Sequence, residues 1–236
     1  MDNDQDIGFT PPEHDRPAIT VDVVIFALNN NDLHALLVRR QHAPYQEVWA
    51  LPGGFVQNNE SLEDAAARKL AEETGVTAVY TEQLFTFGDI DRDPRMRIVT
   101  VAYFALVPYE SVAIQVDQAE LKGAAKWYSL KSLPDLAFDH KKIVEYAHQR
   151  LKYKLEYTSV GFELLPDQFT LTQLQQAYEV VLDEPLDKRN FRRKILAAGV
   201  IEETGQKTKE GEGRPAKLYH YVDDSVAEIK SRRLFP

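Results

Sequence analysis

The sequence predicts an α/β protein that joins an N-terminal α/β/α sandwich with a mixed sheet to a C-terminal winged helix-turn-helix domain. Its length of 236 residues suits one large domain or two modest ones. Up to residue 152, apolar β-branched runs alternate with amphipathic helical segments, which is typical of a layered α/β fold. The next stretch has no sustained period and contains Gly161 and Pro166, so we place the domain junction there.

These changes of pattern set the expected boundaries. We expect a flexible arm at 1–17, the sandwich domain at 18–152, a linker at 153–168 and the winged helix at 169–236. In the sandwich, Ser61 can cap the first helix. The strands are expected at 19–28, 33–40, 49–54, 97–107 and 124–130, and the helices at 61–74 and 139–151.

Composition excludes several classes of protein. The chain has no cysteine, which rules out disulfides, thiolate zinc sites and cysteine nucleophiles. Its acidic N-terminal residues do not resemble a signal peptide, and no apolar run approaches the ~20 residues of a membrane span. We therefore expect a cytoplasmic protein without a membrane partner.

The charge is unevenly distributed along the chain. The formal net charge is −9, yet residues 188–217 hold nine basic and four acidic side chains and carry +5. A basic island on an acidic body is the pattern expected of a protein that binds a polyanion through one surface.

The segment GFVQNNESLEDAAARKLAEETGV, at 54–76, resembles the Nudix signature. That signature has a glycine, a glutamate and an Arg-Glu-aliphatic-x-Glu-Glu-x-Gly-aliphatic run at fixed spacing. Every fixed position fits except one, because Lys69 stands where the family has glutamate. We expect Glu60 and Arg68 to form an ion pair that braces the loop on the helix.

In the family, the acidic positions of this helix hold a divalent metal that acts on a diphosphate. Positions 69, 72 and 73 share one helical face, where three carboxylates could supply hard oxygen ligands. Lys69 reverses the charge at one position, and an ammonium group cannot ligate a cation. We therefore expect hydrolysis to be lost or crippled, with no catalytic residue at the degenerate positions. These positions are Glu60, Arg68, Lys69, Glu72 and Glu73.

The role of Lys69 itself has three alternatives. It can neutralise the neighbouring glutamates as a structural pair, or it can offer its charge to a phosphate. It can also point to solvent while Asp117 or Glu120 supplies a replacement carboxylate. Glu72 and Glu73 hold a metal weakly or not at all in this interpretation, so no cofactor is required and Mg²⁺ is dispensable.

Further residues near the signature suit a nucleotide ligand. Gly53 and Gly54 allow close approach of the backbone. Phe138 can stack on a base, and His140 can form hydrogen bonds. Taken singly, each arginine of the set below is better explained as a surface charge, and Phe138 as a core aromatic. Taken together, these residues favour a nucleoside diphosphate ligand. The predicted ligand-binding set is Arg40, Gly53, Gly54, Phe55, Lys69, Arg92, Arg95, Arg97, Phe138 and His140.

The C-terminal part predicts two short helices and a hairpin. Thr170 and Gln173 match a capping box at the first helix, and Asp187 can cap the second. We expect Phe191, Ile195 and Leu196 to face inward. The order of two helices and then a basic hairpin is that of a winged helix, with the second helix as the reading element.

The basic residues of this part are the candidates for DNA contact. A solvated charged face is the alternative, but the charges share one helix, recur on the hairpin and stand out from an acidic body. Asn190 and Arg192 are the expected readers of base edges, and the other side chains would neutralise phosphates. The predicted set is Lys188, Arg189, Asn190, Arg192, Arg193, Lys194, Lys207, Lys209, Arg214 and Lys217.

The combination of segments resembles the Nudix-related transcriptional regulators of NAD metabolism, the NrtR family, over nearly the whole chain. The segments are WALPGGFV, the altered signature, RDPRMRIVTVAY, LAFDH, LDKRNFRRKIL and GRPAKLYHY. This resemblance implies a bacterial repressor of NAD-biosynthesis operons with ADP-ribose or a related nucleotide as effector. It also implies a homodimer on a palindromic double-stranded operator. As a hypothesis for the mechanism, we expect the ligand to reorient the two winged helices so that they no longer match the half-site spacing.

Two rival functions remain at this point. One is an active Mg²⁺-dependent ADP-ribose or dinucleotide pyrophosphatase with an accessory winged helix, which the intact Glu72 and Glu73 favour. The other is a non-catalytic protein-interaction adaptor, which the concentrated arginines oppose. A steep loss of affinity with salt would distinguish DNA binding from the adaptor.

Overall fold

The computed structural model describes residues 16–77, 81–110, 112, 125–158, 160–208 and 215–222. The strands are β1 (Ala18–Asn29), β2 (Asp32–Arg39), β3 (Trp49–Ala50), β4 (Gly53–Phe55), β5 (Glu82–Phe87), β6 (Ile98–Leu106), β7 (Ala125–Ser129), β8 (Ile201–Thr208) and β9 (Ala216–Tyr221). The helices are α1 (Leu62–Thr74), α2 (His140–Tyr157), α3 (Leu171–Leu182) and α4 (Lys188–Ala198), with 3₁₀ turns at Leu130–Ser132 and Val160–Leu164.

A mixed sheet organises the first domain, as the sequence predicts. Strand β1 lies at its centre, parallel to β6 and antiparallel to β2 and β4. The strand order is β3-β2-β1-β6-β5, with β4 also paired to β1 and β7 to β2. Because both faces of β1 are covered, residues 20–27 are all buried, and seven of those eight are apolar or β-branched.

Helices cover the two faces of this sheet and confirm the α/β/α sandwich. On one face, Ala65 and Leu70 of α1 pack against the odd-numbered apolar residues of β1. The Ser61 hydroxyl accepts the Asp64 N–H at 3.0 Å and so caps α1 as predicted. On the other face, α2 packs against Val24 and Phe26.

The second domain is a winged helix. Thr170 and Gln173 form the predicted capping box at α3, and the Asp187 carboxylate accepts the Asn190 N–H at the start of α4. Strands β8 and β9 pair into the wing, and an isolated bridge joins Phe169 to Tyr219. The expectation for Leu196 is wrong: it is 50% exposed, because its position on α4 points away from the core.

Residues 153–168 differ in structure from the irregular linker expected there. Helix α2 continues to Tyr157, and a 3₁₀ turn follows at Val160–Leu164. Leu155 and Phe162 are buried in the hydrophobic cluster that also contains Tyr178 of α3. The two domains therefore share a core at this point. Gly161, which interrupts the sequence pattern, lies at a tightly packed position.

Two smaller differences concern the sheet. Residues 49–54 form two short strands, β3 and β4, instead of one. Strand β5 was not predicted, because its half-exposed residues at the sheet edge lack a clear apolar alternation. Among the helices that the structure describes, none combines the length and hydrophobicity needed to cross a bilayer.

Candidate functional site

A cleft lies beside the junction of β1 with β4, at the N-terminal end of α2. It brings together eight of the ten predicted ligand-binding residues: Arg40, Gly53, Gly54, Phe55, Arg92, Arg95, Phe138 and His140. Five residues that sequence reasoning missed complete it: Thr20, Asp22, Leu51, Asp93 and Ile98.

The two glycines of β4 are required by close packing. A Cβ atom on Gly53 would lie 2.3 Å from the Val21 carbonyl oxygen and 2.6 Å from Asp22 Oδ1. A Cβ atom on Gly54 would lie 2.7 Å from Cε of Lys69. Side chains there would push β4 away from β1 or displace Lys69, so this part of the cleft wall requires glycine.

Cationic and aromatic groups line the mouth of the cleft. The Arg40 guanidinium lies 4.6 Å from the centroid of the Phe138 ring, and that of Arg95 lies 5.7 Å from the same centroid. Burial, followed by repulsion from Arg95, lowers the pKa of Arg40. Tyr45 and Phe55 expose 43% and 45% of their surface. The Arg95 guanidinium is paired with Asp93 at 2.7 Å and 2.9 Å and lies 5.5 Å from the centroid of the Phe55 ring. The mouth therefore holds two guanidinium groups, one of them already paired, beside the half-exposed ring of Phe55, and Tyr45 lies outside the cleft lining.

The floor of the cleft is a buried charge cluster. Arg92 donates to Asp139 at 2.7 Å and 3.0 Å, and to Asp22 at 3.4 Å. Its side chain is 4% exposed. A buried guanidinium is tolerated only when carboxylates surround it, so this loop, strand β1 and the start of α2 are held together here.

His140 is held as one neutral tautomer. Its Nδ1 accepts the Leu51 N–H at 2.9 Å, which leaves the proton on Nε2. Nε2 lies 3.5 Å from Asp22 Oδ1. Burial lowers the pKa of His140 and outweighs the nearby carboxylates, so the ring is uncharged at neutral pH.

The signature helix begins with the expected brace. Arg68 donates to Glu60 at 2.8 Å and 2.5 Å and also reaches the Phe55 carbonyl oxygen at 3.2 Å. These bonds hold the pKa of Glu60 at about 2. The loop between β4 and α1 is therefore fixed on the helix.

The metal-binding face of the signature is paired internally. Lys69 Nζ donates to Glu72 Oε2 at 2.9 Å, and Arg68 reaches the same carboxylate at 3.2 Å. Glu73 accepts the Gly53 N–H at 3.0 Å, and burial raises its pKa to about 7. Within the described residues, no three acidic or histidine side chains form a group that could hold a metal ion.

This donor set does not fit the divalent metal of the family. One carboxylate is already shared by two cations, the second is bound to backbone in a buried site, and the third position is an ammonium. Of the alternatives for Lys69, the structure shows the pair with Glu72. Asp117 and Glu120, proposed as substitutes, lie outside the described residues.

Two predicted ligand residues lie away from the cleft lining. Lys69 lies beneath Gly54, on the helix side of β4. Arg97 is not among the residues that line the cleft and donates to the Asp89 carbonyl oxygen at 2.9 Å, so its ligand-binding role stays a prediction. A signal existed for Thr20 and Asp22, because they are polar residues two apart on an apolar strand and must share a face.

The basic surface of the winged helix is exposed in part. Lys188, Arg189 and Arg193 of α4 are exposed, and Arg193 donates to Asn190 at 2.8 Å. Arg192 is half-buried and donates to Thr172 of α3 at 3.1 Å, so it also ties the two helices together.

The remaining candidates differ in their surroundings. Lys194 of α4 is half-buried and Lys207 of β8 is exposed. Lys217 is paired with Glu203 across the wing at 2.7 Å. Lys209 and Arg214 lie outside the described residues.

Comparisons with known proteins agree with both parts of this structure. A family model described as the NUDIX domain matches residues 18–147, and one described as the NrtR DNA-binding winged helix domain matches residues 161–221. The chain is 40% identical over 214 residues to the ADPR responsive transcriptional repressor NtrR of Acinetobacter baylyi, covering 89% of this chain and 84% of that protein.

Two solved structures extend the comparison. Shewanella oneidensis NrtR complexed with a 27mer DNA is similar with a TM-score of 0.80 at 40% identity, covering 91% of this chain and 96% of that one. The NUDIX domain of the same protein complexed with ADP ribose gives a TM-score of 0.51 at 39% identity, covering 61% of this chain and 94% of that one.

The raised pKa of Glu73 predicts that the free energy of unfolding decreases as pH rises. Since burial raises the folded pKa to about 7, the unfolded chain loses this proton first as pH rises, and stability falls between about pH 4.5 and 7. Glu73→Gln removes this loss. The free energy of unfolding of the variant relative to wild type should rise by about 3 kcal/mol across that range.

Urea denaturation at about pH 4.5 and 7.5 measures this difference. Glu202→Gln, at an exposed glutamate, is the control for removing a carboxylate and should behave alike at both pH values. A Glu73→Gln difference that stays constant with pH would contradict the assignment.

Proposed function

The chain belongs to the NrtR family of Nudix-related transcriptional regulators, and we propose that it is a DNA-binding repressor of NAD-biosynthesis or salvage genes that senses ADP-ribose without hydrolysing it. One observation carries this proposal: the chain joins a basic winged helix to a nucleotide-binding fold whose catalytic face is neutralised by Lys69. Such a protein acts in the cytoplasm, where a bacterial chromosome lies.

The signature supports binding without turnover. Hydrolysis of a diphosphate needs metal-held water or an equivalent base, and here Lys69 and Arg68 occupy the carboxylate that would hold the metal. Mg²⁺ is therefore dispensable in our account. Two features of the signature remain: the ion pair between Glu60 and Arg68, and Gly53 and Gly54 in the wall of the cleft. Both shape a binding site.

The cleft supports ADP-ribose as the effector class. Arg40 and Arg95 at the mouth bring two positive charges to a diphosphate, and the phosphate would share Arg95 with its partner Asp93. The exposed rings of Tyr45 and Phe55 lie beside them and can stack on adenine. Phe138 lines the cleft as well and remains a candidate for the stacking role predicted for it, since guanidinium groups lie against its ring and against that of Phe55 alike.

Helix α4 supports DNA binding. Its exposed cations, Lys188, Arg189 and Arg193, follow the N-cap at Asp187, where a reading helix enters the major groove. A homodimer would place two such helices on the half-sites of a palindromic operator, about 34–36 Å apart. The dimer and the palindrome are part of the proposal.

Helix α2 supplies a physical route between the two sites. His140 at its start lines the cleft, and Leu151 and Leu155 near its end are buried in the core shared with the winged helix. Between them, His148 Nε2 lies 3.2 Å from the Val181 carbonyl oxygen of α3. A ligand that prefers one position of α2 would thereby bias the placement of α3.

A second candidate is an ADP-ribose pyrophosphatase. The observation in its favour is the intact brace between Glu60 and Arg68, together with the retained Glu72 and Glu73. The pairing of Lys69 with Glu72 opposes it.

Calorimetry and product analysis test the sensor proposal. The purified chain should bind ADP-ribose in EDTA and in Mg²⁺ with similar affinity and release no AMP, because Glu72 is paired with Arg68 and Lys69 and Glu73 is bound to backbone. Brisk AMP release by the wild type would instead establish the pyrophosphatase.

Lys69→Glu is the matched variant for this experiment, since it restores the charge of the family signature at one position. AMP release that appears only in this variant identifies the lysine as the disabling change. Absence of release from both proteins would mean that the lysine alone did not disable the site.

Salt dependence tests the DNA-binding surface. The wild-type protein first selects its operator from a random duplex library, and the affinity for that operator is then measured over a range of salt. Arg189→Ala should weaken binding and reduce the slope of log K against log salt by about 1, because one phosphate contact is lost. Arg150→Ala, which changes an exposed arginine on α2, is the control and should leave the affinity and the salt slope unchanged. Equal effects of the two variants would contradict the assignment of α4.

A further inference from the structure

One side of helix α4 faces away from the core and combines cations with an apolar group. Phe191 and Ile195 are buried in the core of the winged helix. Because an α-helix has 3.6 residues per turn, the positions that face the opposite way are 189, 193, 196 and 197, and all four are exposed. We call this surface the α4 ridge, and it consists of Arg189, Arg193, Leu196 and Ala197. DNA that covers the two arginines of the ridge therefore also covers its leucine.

Leu196 is the large apolar side chain of the α4 ridge, and it is 50% exposed. Ala197, beside it, is exposed as well. An aliphatic side chain neither donates nor accepts a hydrogen bond, so its exposed part is stabilised only when another apolar group covers it. The arginines of the ridge attract a polyanion, and the leucine fits a polyanion that also carries an apolar group.

The Arg193 guanidinium is oriented on the ridge by its own helix. It donates to Asn190 Oδ1 at 2.8 Å, and the Asn190 N–H is held by the Asp187 cap at 2.7 Å. A guanidinium has five N–H donors, so this bond leaves others for a ligand. Arg192, in contrast, is half-buried and donates to Thr172 of α3 at 3.1 Å. Arg193 is therefore the better placed of the two arginines to reach a base edge.

We propose that Leu196 packs against the C5-methyl group of a thymine in the major groove, beside a guanine that is bound by Arg193. The thymine methyl is the apolar group that base edges offer in this groove, whereas the other groups are hydrogen-bond donors and acceptors. Guanine presents two acceptors, O6 and N7, to the fork of an arginine. This inference rests on the proposed DNA binding and adds which bases the helix distinguishes.

Helix geometry sets the spacing of the two contacts. Arg193 and Leu196 are three residues apart, which is a rise of about 4.5 Å along the helix. Successive base pairs of a DNA duplex are about 3.4 Å apart. When the helix lies in the major groove, the two side chains therefore reach neighbouring base pairs. The half-site should contain a guanine and a thymine at neighbouring positions.

Deoxyuridine substitution tests the methyl contact. The wild-type protein selects its operator from a random duplex library, and each thymine is then replaced singly by deoxyuridine, which removes the methyl group and keeps the base pair. At one thymine of the half-site, the wild type should bind the substituted duplex roughly fourfold more weakly, the factor that corresponds to about 0.8 kcal/mol for a buried CH₂ group. In Leu196→Ala, the ratio of dissociation constants at that thymine should fall close to one.

A second base analogue tests the neighbouring contact. 7-Deazaguanine lacks the N7 acceptor and still pairs with cytosine. At a guanine next to the sensitive thymine, it should weaken binding by the wild type roughly tenfold, because a hydrogen bond from a charged donor is lost. Arg193→Ala should bind the two duplexes alike, and Leu196→Ala should keep the wild-type ratio at this guanine. Equal binding of the two duplexes by the wild type would overturn the assignment of Arg193.

Ile90→Ala is the matched control for the loss of an exposed aliphatic side chain. Ile90 is 77% exposed and lies in the first domain, before β6. This variant should keep the wild-type ratio at every thymine. Arg189→Ala should weaken all duplexes by a common factor, since a contact with phosphate does not distinguish thymine from deoxyuridine.

Three results would overturn the assignment of Leu196. The first is a wild type that binds every deoxyuridine duplex as tightly as the operator. The second is a Leu196→Ala variant that weakens all duplexes by the same factor and so keeps the ratio at the sensitive thymine. The third is a Leu196→Ala variant that sediments as a smaller species than the wild type without DNA, which would place Leu196 between copies of the chain. If the wild type enriches no sequence from the library, the proposed DNA binding fails first, and this inference with it.

Discussion

The buried guanidinium of Arg92 is the constraint on which the rest of the site depends. It lies between Asp22 of β1 and Asp139 at the start of α2, and so fixes the loop before β6, the central strand and the long helix relative to one another. Removing one member of such a cluster leaves an uncompensated buried charge, which typically costs about 3–5 kcal/mol. The cluster also places both signs of charge at the floor of the cleft, the Arg92 guanidinium together with Asp22 and Asp139.

Helix α2 carries that constraint to the second domain. It starts in the charge cluster and ends in a hydrophobic core that includes Phe162 of the connecting turn and Tyr178 of α3. A Cβ on Gly161 would lie 2.7 Å from Leu155 and 2.9 Å from Tyr178, so the turn fits tightly against both helices. Interfaces packed this closely resist gradual deformation, which suits a ligand that selects between discrete domain arrangements.

The sequence predicts the layers, the capping residues and the wing because each rests on a local pattern. The register of hydrophobic residues gives α1, β1 and β6, and the caps at Ser61, Thr170 and Asp187 give the helix starts. The shared core around residues 153–168 was missed, because a helix end and a 3₁₀ turn leave no periodic signal. In the site, the signature spacing identifies the pair of Glu60 with Arg68. The floor depends on side chains far apart in sequence, 47 residues for Arg92 with Asp139 and 70 for Asp22 with Arg92, which no local pattern joins.

The central claim is that occupancy of the cleft and affinity for DNA are linked. The most direct measurement is the operator dissociation constant at zero and at saturating ADP-ribose, at fixed salt. The account predicts a change of about 5–150-fold, and an equal factor in the affinity for ADP-ribose when operator is saturating, because binding free energies are coupled reciprocally. Identical operator affinity with and without bound ADP-ribose would contradict it.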